Sequence, residues 1–192
     1  MEKTANVRVE FKTLLHTFVL RGFLSLWRHI SDRLRDYPVR QKVAKVLVEL
    51  GLSIRDRSTI YCGGIELSDV KIARFLKVDR RTVRETAELI SSDPILKAVF
   101  EKMRPAGPFM GDVAKFLGYS VIEIYADPHA VGIIARAAAL VSQENIAIRQ
   151  AVADDPDLTP DPKLTLVVEK QPSGVILQKM LKIPGVLKIS TY

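Results

Sequence analysis

The segment from Lys71 to Arg84 carries the side chains of this sequence that are best suited to recognising a polyanion. It contains six Lys/Arg residues and a single carboxylate, that of Asp79. Aspartate is a preferred N-cap, so Asp79 predicts a helix whose first turn presents arginines to solvent. Arginines placed there can bind backbone phosphates and donate a bidentate pair of hydrogen bonds to guanine in a major groove. The predicted DNA-contacting residues are Lys71, Arg74, Lys77, Arg80, Arg81, Thr82 and Arg84.

Two short helices must position these side chains. The first is expected to begin at Ser68, a turn is expected at residues 77–79, and the second is expected to cover residues 80–91. Ala73 is small enough to let the helices approach closely, and Lys77 stands where many helix-turn-helix proteins have a glycine with positive φ. The shared core is predicted to contain Ile72, Leu76, Val78 and Val83.

The helix-turn-helix interpretation has an alternative, because helical hairpins of this kind also occur in proteins that never touch nucleic acid. A β-hairpin is predicted over residues 52–61, with Arg55 and Arg57 near its tip. It is either a wing that reaches toward the DNA backbone or a plain surface hairpin.

The distribution of charge favours a polyanionic partner for the front of the chain. Residues 1–118 carry 22 Lys/Arg against 14 Asp/Glu, whereas residues 119–192 carry 7 against 8. All of the excess positive charge therefore lies in the first part of the chain, although a solvated basic surface would give the same asymmetry.

A second set of residues, in the loop 127–132, is suited to binding a small anionic group. Gly132 directly precedes an alanine-rich helix expected at 133–142, and the exposed backbone N–H groups of a helix start suit a carboxylate. His129 lies in the same loop, where it either contacts an anionic ligand or is a solvated histidine. From Ser120 onward the elements follow the order strand-helix-strand-strand-helix-strand. This order predicts a ferredoxin-like, four-stranded antiparallel sheet with both helices on one face.

Residues 122–127, Gly132 followed by two isoleucines, and Asn145-Ile146 give this second part of the chain a resemblance to the ACT domain, although the loop is two residues longer than usual. The resemblance implies that an amino acid or another small metabolite binds at an interface between domains. It also implies a homo-oligomer formed through this domain. The ligand-binding residues that it implies are Asp127, Val131, Gly132, Ile133, Ile134, Asn145 and Ile146.

Six strings occur in one order along the chain: Asp36-Tyr-Pro-Val-Arg-Gln-Lys-Val-Ala44, Gly63-Gly-Ile-Glu66, Val78-Asp-Arg-Arg81, Val121-Ile-Glu-Ile-Tyr125, Ile148-Arg-Gln-Ala151 and Asp154-Asp-Pro156. Through them the chain resembles an archaeal family described as predicted regulators of amino-acid metabolism, which join a helix-turn-helix to a C-terminal ACT-like domain. The expected α+β chain has an N-terminal amphipathic helix (1–35), a helix-turn-helix domain (36–118) and an ACT-like domain (119–192). The implied function is that of a ligand-responsive transcriptional regulator. The alternative is a regulatory subunit whose helical half docks on a metabolic enzyme.

The sequence offers no constellation of residues for catalysis. Cys62 is the only cysteine and the three histidines are widely spaced, which excludes an internal disulfide and a cysteine-rich metal site and fits a reducing cytoplasm. The alternating acidic residues of the loop 155–161 lack the glycine and the glutamate that an EF-hand requires. We therefore expect no enzyme activity, no metal and no cofactor.

The first residues of the chain form one apolar stripe at helical spacing, from Phe11 to Leu34. The stripe contains no uninterrupted apolar run long enough to span a membrane, and no secretory cleavage signature follows it. We expect a cytoplasmic protein in which this helix packs against its own domain or a second subunit, the alternative being a membrane surface. Residues 1–25 have no counterpart in the family. They are either a docking or dimerising helix or an extension from an upstream start codon.

Overall fold

The computed structural model describes residues 26–192, and the chain divides into two units whose boundary falls between Ala106 and Gly107. Each unit combines α-helices with an antiparallel sheet, so the expected α+β class is confirmed at this level. Most of the predicted N-terminal helix, residues 1–25, lies outside the described part. Within the described part, a helix covers Leu26–Arg33.

The described residues of the first unit form five helices and three short strands. They are α1 (Leu26–Arg33), α2 (Pro38–Glu49), β1 (Ser53–Arg55), β2 (Thr59–Cys62), β3 (Ile65–Leu67), α3 (Asp69–Leu76), α4 (Arg80–Ser92) and α5 (Pro94–Lys102).

Helix α2 begins with a proline and is followed by a glycine, two residue types that favour the start and the end of a helix. Pro38 occupies its first position, where a missing N–H and a fixed φ are tolerated. Gly51 follows its last turn with a φ of 62°. A Cβ at this position would lie 2.6 Å from the carbonyl oxygen of Arg104, so only glycine fits between the two backbones.

The three strands of the first unit form an antiparallel sheet in the order β1-β2-β3. The predicted hairpin is present as β1 and β2, and Asp56 and Arg57 in its turn have φ values of 49° and 71°. The third strand was not expected. It pairs with β2 across the two-residue turn Gly63-Gly64, and the positive φ of Gly63 is what a type II′ hairpin turn requires.

One hydrophobic core holds the first unit together. Full burial of a large aliphatic side chain contributes about 1.5–3 kcal/mol, so the helices that supply most of this core dominate the stability of the unit. Its fully buried members are Ile30, Leu34, Val43, Ala44, Leu47, Val83, Ala87, Ile90, Leu96 and Phe100.

The second unit has the order of strands and helices predicted from Ser120 onward. It comprises a 3-10 helix (Gly111–Leu117), β4 (Ser120–Ala126), α6 (Ile133–Ser142), β5 (Ile148–Ala153), β6 (Lys163–Val168), α7 (Gly174–Leu181) and β7 (Val186–Thr191). The four strands form one antiparallel sheet in the order β5-β6-β4-β7. The first strand of the unit therefore lies inside the sheet, between β6 and β7.

The two faces of this sheet differ in what covers them. One face carries Ile122, Ile124, Leu164 and Leu166, which pack with apolar residues of α6 and α7 in a single core, so both helices lie on one face as predicted. The alternate residues of β4 and β6 point to the other face, because successive side chains of a strand alternate. There the 3-10 helix covers one end, where its Ala114 packs against Val121 and Val167.

The range expected for the helix-turn-helix domain (36–118) includes the segment 109–117. Residues 111–117 instead form the 3-10 helix of the second unit. Its large apolar side chains are exposed, Phe116 at 91%, and Ala114 is its one buried side chain.

Candidate functional site

The turn between α3 and α4 fixes where the basic side chains of residues 71–84 emerge. Lys77 has left-handed backbone angles, φ 56° and ψ 48°. This is the conformation expected at a position where many helix-turn-helix proteins have a glycine. The backbone N–H of Val78 donates to the carbonyl oxygen of Ala73 over 3.0 Å. The side chain of Asp79 then accepts from the backbone N–H of Arg81 over 2.7 Å, which confirms the predicted N-cap.

The apolar residues predicted between these helices are in place: Ile72, Ala73, Leu76 and Val83 are buried, and Val78 is half-buried. Helix α2 makes polar contacts with both α3 and α4. The Arg40 guanidinium lies 2.6 Å from a Glu85 carboxylate oxygen on α4, and the Lys42 ammonium donates to the carbonyl oxygen of Leu76 on α3 over 3.1 Å.

The basic side chains of this segment form a surface of uncompensated positive charge. Five of them make no ion pair with any residue between 26 and 192: Lys71, Arg74, Lys77, Arg80 and Arg81. Arg84 makes a loose pair, with its Nε 3.9 Å from Asp69 Oδ2. All six basic side chains are exposed, whereas Thr82 is half-buried. Phe75, an apolar residue of the same segment, is 72% exposed.

A cavity of about 480 Å³ opens in the second unit where β4 ends and α6 begins. Its walls are mainly aliphatic, and the charged residues Asp127, Asp154 and Lys163 are also part of the lining. Four of the seven residues implied as ligand-binding line it: Asp127, Gly132, Ile133 and Ile134.

The loop that borders this cavity is held by its own backbone. Asp127 accepts from the backbone N–H of His129 through its side chain, over 2.9 Å, and its N–H donates to the carbonyl oxygen of Gly185 over 2.8 Å. A Cβ at Gly185 would lie 2.4 Å from the Cβ of Ala130, so a glycine is needed where the loop passes the turn before β7. Gly132 caps α6 with a φ of 83°. His129 itself is exposed.

The other three implied ligand-binding residues lie away from the cavity. Val131 is 87% exposed and does not line it. Asn145 and Ile146 follow the far end of α6, and a ten-residue helix is roughly 15 Å long. Asn145 is exposed with a φ of 53°, whereas Ile146 belongs to the core.

A row of charged and aromatic side chains on the other face of the sheet was missed by the sequence reasoning. In the strand register Tyr125 on β4 lies opposite Lys163 on β6 and opposite Lys188 on β7. The two ammonium nitrogens lie 5.8 Å and 5.0 Å from the centroid of the Tyr125 ring. Such cation–π contacts are worth about 0.5–1 kcal/mol at exposed sites. The three residues are far apart in sequence, so only the strand register reveals the row.

Glu123, two positions before Tyr125 on β4, is the centre of a hydrogen-bonded network. Only 8% exposed, it accepts from Lys163 Nζ over 2.5 Å, from the Tyr125 hydroxyl over 3.2 Å and from the Tyr192 hydroxyl over 3.3 Å. Burial alone would raise the pKa of the Glu123 carboxyl, but the hydrogen bond and charge of Lys163 outweigh it, so that the pKa lies below its usual range. The same hydrogen bond raises the pKa of Lys163, while burial and the Glu123 charge raise the pKa of Tyr192.

A second cavity, of about 590 Å³, lies over this row. Its lining combines two ammonium groups, two carboxylates, a hydroxyl and an aromatic ring. The lining residues are Tyr125, Asp154, Thr159, Asp161, Lys163 and Lys188.

Residues 26–192 contain neither a metal-binding cluster nor a membrane-spanning helix. No group of three or more His, Cys, Asp or Glu side chains there is arranged to hold a metal ion. Among those same residues, no helix combines the length and the apolar character needed to cross a membrane.

Comparisons with known proteins give no family for the chain. Neither a protein-family model nor a curated protein matches it. Among solved structures, it is similar to the C-terminal domain of the MgtC protein from Mycobacterium tuberculosis, at 18% identity and a TM-score of 0.30 over 38% of this chain and 83% of that one. It is also similar to the crystal structure of PH0061, at 11% identity and a TM-score of 0.26 over 80% of this chain and 88% of that one. Likenesses this weak carry no argument about function.

Proposed function

We propose that this chain is a ligand-responsive DNA-binding regulator of transcription. In this proposal, α3 and α4 are the two helices of a helix-turn-helix, and the second unit is an ACT-like sensor with the ferredoxin-like order of strands. Arg80, Arg81 and Arg84 read or grip the duplex, with Lys71, Arg74, Lys77 and Thr82 as flanking contacts.

The observation that carries the proposal is the unpaired positive charge on the surface of α3 and α4. Five exposed cations within residues 71–84 have no carboxylate partner among the described residues, and the one carboxylate of that segment is used as a helix cap. An ordinary solvated surface interleaves charges of both signs. A stripe of one sign at the start of an exposed helix is instead the electrostatic footprint of a nucleic-acid contact.

The cavity at Gly132 supports the sensor half of the proposal. Its aliphatic walls with a few polar groups match the composition of small-molecule sites. Because α6 separates Gly132 from Asn145, one small ligand cannot touch both in the same copy. For the implied residues to share a ligand, a second copy of the chain must supply Asn145. We therefore propose a homo-oligomer in which the effector, an amino acid or a similar metabolite, binds between copies and shifts the spacing of the recognition helices.

Salt-dependent duplex binding tests the DNA half. We expect the protein to bind duplex DNA at low salt with an affinity that falls steeply as salt rises, because phosphate contacts release counterions. The triple variant Arg80→Ala, Arg81→Ala, Arg84→Ala should reduce the salt slope by about 1 for each phosphate that the variant no longer neutralises.

A matched control removes three exposed positive charges from the same unit but outside α3 and α4: Lys97→Ala, Lys102→Ala and Arg104→Ala. It should leave both affinity and salt slope close to those of the parent. If both triple variants lost the same amount of duplex affinity, the loss would follow from the total charge of the protein and not from a contact made by α3 and α4. If the protein showed no duplex affinity at low salt and a metabolic enzyme co-purified with it, the proposal would be wrong. The alternative, a regulatory subunit that docks on that enzyme, would then hold.

Thermal unfolding in the presence of individual amino acids tests the sensor half. A bound effector raises the unfolding temperature in proportion to the logarithm of its concentration over Kd. We expect Gly132→Val to abolish that rise, because a β-branched residue does not fit a φ of 83°. Gly132→Asn is the control, since asparagine tolerates left-handed angles and should keep most of the rise. If no amino acid raised the unfolding temperature, the second unit would be a purely structural dimerisation domain and not a sensor.

A further inference from the structure

The second cavity, over the row Lys163–Tyr125–Lys188, contains charges of both signs that the fold itself leaves unpaired. The Lys163 ammonium is engaged by Glu123 at 2.5 Å. The Lys188 ammonium, by contrast, has no carboxylate within ion-pair distance among residues 26–192, and neither does the Asp161 carboxylate have a cation. Both side chains are exposed on the same cavity.

The balance of these charges restricts what the cavity can hold. With Lys163 neutralised by Glu123, one ammonium faces two carboxylates, those of Asp154 and Asp161, so a simple anion would meet net repulsion. A metal ion is disfavoured as well, since no group of three metal-ligating side chains exists in the described residues. The arrangement is complementary to a molecule that itself carries one charge of each sign.

We infer that this cavity is a binding site for a small zwitterion with an ammonium and a carboxylate, the chemistry of an α-amino acid. The carboxylate pairs with Lys188 and the ammonium with Asp161. The Tyr125 ring forms the floor between them, and the Thr159 hydroxyl is available to either end. The site lies on the sheet face opposite α6 and α7 and goes beyond the proposed function, which places its effector at Gly132.

Neighbouring contacts hold the floor of the site rigid. The Tyr125 hydroxyl donates to Glu123 of the same strand, whose other oxygen accepts from Lys163 on β6, so the ring is tied to β4 and β6. Asp154 is also held, since its carboxylate accepts from the backbone N–H of Lys163 over 3.3 Å. A ligand therefore needs to order only Lys188 and Asp161, which lowers the entropic cost of binding.

Isothermal titration calorimetry with each standard α-amino acid, one at a time, identifies the tightest binder. That amino acid is then compared with its carboxamide, which lacks the carboxylate charge, and with its N-acetyl derivative, which lacks the ammonium. We expect both derivatives to bind at least about tenfold more weakly, because each lacks one of the two charges that the site pairs with.

Two variants test which residue binds the carboxylate of the ligand and which binds its ammonium. Lys188→Gln should weaken binding of the amino acid by about tenfold but should not weaken binding of the carboxamide, because that probe has no carboxylate to lose. Asp161→Asn should weaken binding of the amino acid by a similar factor but should not weaken binding of the N-acetyl derivative, which has no ammonium. Lys182→Gln, an exposed lysine outside the cavity, is the matched control and should change nothing.

The inference is overturned if no α-amino acid binds, or if binding is indifferent to Lys188→Gln and Asp161→Asn. Loss of binding in Gly132→Val alone would place the ligand in the other cavity and would support the proposed sensor site instead. Loss in Lys188→Gln alone, with Gly132→Val unchanged, supports this site and counts against the proposed one. Both lining variants replace exposed side chains, and an unchanged unfolding temperature in the absence of ligand shows that they fold.

Discussion

Lys77 is a non-glycine residue in the left-handed region, at the turn that joins α3 and α4. Left-handed angles cost an L-residue roughly 1–2 kcal/mol, and a glycine avoids that cost while giving up some chain entropy. The structure thus keeps a strained lysine where glycine would be more stable. A positively charged side chain at this place is consistent with the proposed duplex contact.

Replacing Lys77 separates its backbone role from its charge. We expect Lys77→Gly to raise the free energy of unfolding by about 0.5–1 kcal/mol, measured by urea denaturation, because the strain is relieved. Lys77→Val should lower it, since a β-branched residue tolerates a φ of 56° poorly. If Lys77 contacts a phosphate, the glycine variant should also lower the salt slope of duplex binding by about 1. A destabilised glycine variant would contradict the strain argument.

Glu123 is the other residue whose environment gives a direct expectation. Its pKa is lowered in the folded protein, so its ionisation stabilises the fold above the ordinary glutamate pKa, and that stability is lost as pH falls through the folded pKa. Lys163 has a raised pKa, so its contribution is complete below the ordinary lysine pKa and is lost as pH rises through the folded value. The pair therefore stabilises the second unit across the whole neutral range.

Glu123→Gln should lower the free energy of unfolding at neutral pH by about 1.5–3 kcal/mol, the contribution of a hydrogen bond to a charged group. Chemical denaturation at a series of pH values measures it. The difference between parent and variant should shrink as the solution is made acidic, because the parent loses its carboxylate charge there. A deficit that stays constant with pH would assign the effect to packing and not to charge. Glu169→Gln, in an exposed pair with Arg149, serves as the control and should change little.

At the scale of elements, Asp93 is the junction of three helices in the first unit. It follows α4, and its side chain accepts from the backbone N–H groups of Ile95 and Leu96 at the start of α5. The second carboxylate oxygen lies 2.8 Å from the Arg33 guanidinium of α1. One buried side chain thus caps one helix and ties another to it.

Asp93→Ala should cost about 2 kcal/mol of unfolding free energy, since it removes both a cap worth about 1 kcal/mol and an ion pair. Asp93→Asn keeps an equally good cap and loses only the ion pair, so it should cost less than half as much. Thermal unfolding of both variants distinguishes the roles. Equal losses would show that the ion pair with Arg33, and not the cap, secures the junction.

The elements that the sequence predicted are those with long periodic patterns or strong end signals. Helix α2 follows from Pro38 and Gly51, and the second helix of the proposed recognition pair follows from its Asp79 cap. Strand β3 escaped prediction because it has only three residues, too few to establish an alternating pattern in the sequence. The Gly63-Gly64 turn was the one signal that could have revealed it.

The candidate sites were predictable to different degrees for a physical reason. The basic surface is local in sequence, so residues 71–84 could be read directly, and so could the loop at Gly132. The row Lys163–Tyr125–Lys188 depends on which residues of three separate strands lie opposite one another. A shift of one residue in register would send each side chain to the other face, and the sequence alone does not fix that register.

For the whole molecule, the two units carry different charge. Residues 26–106 have 17 Lys/Arg against 11 Asp/Glu, whereas residues 107–192 have 8 against 9. A regulator needs this division of labour, since one unit must attract a polyanion while the other binds a small metabolite without competing for it. Coupling between the two activities is a free energy, typically about 1–3 kcal/mol, and it must be reciprocal.

Reciprocal coupling is the most direct test of the central claim, that an effector bound to the second unit controls duplex binding by the first. Duplex affinity is measured with and without a saturating amount of the amino acid that most raises the unfolding temperature, and the affinity for that amino acid is measured with and without duplex. We predict that the two ratios are equal and lie between about 5 and 150. Duplex binding that is the same with and without every amino acid would contradict the account.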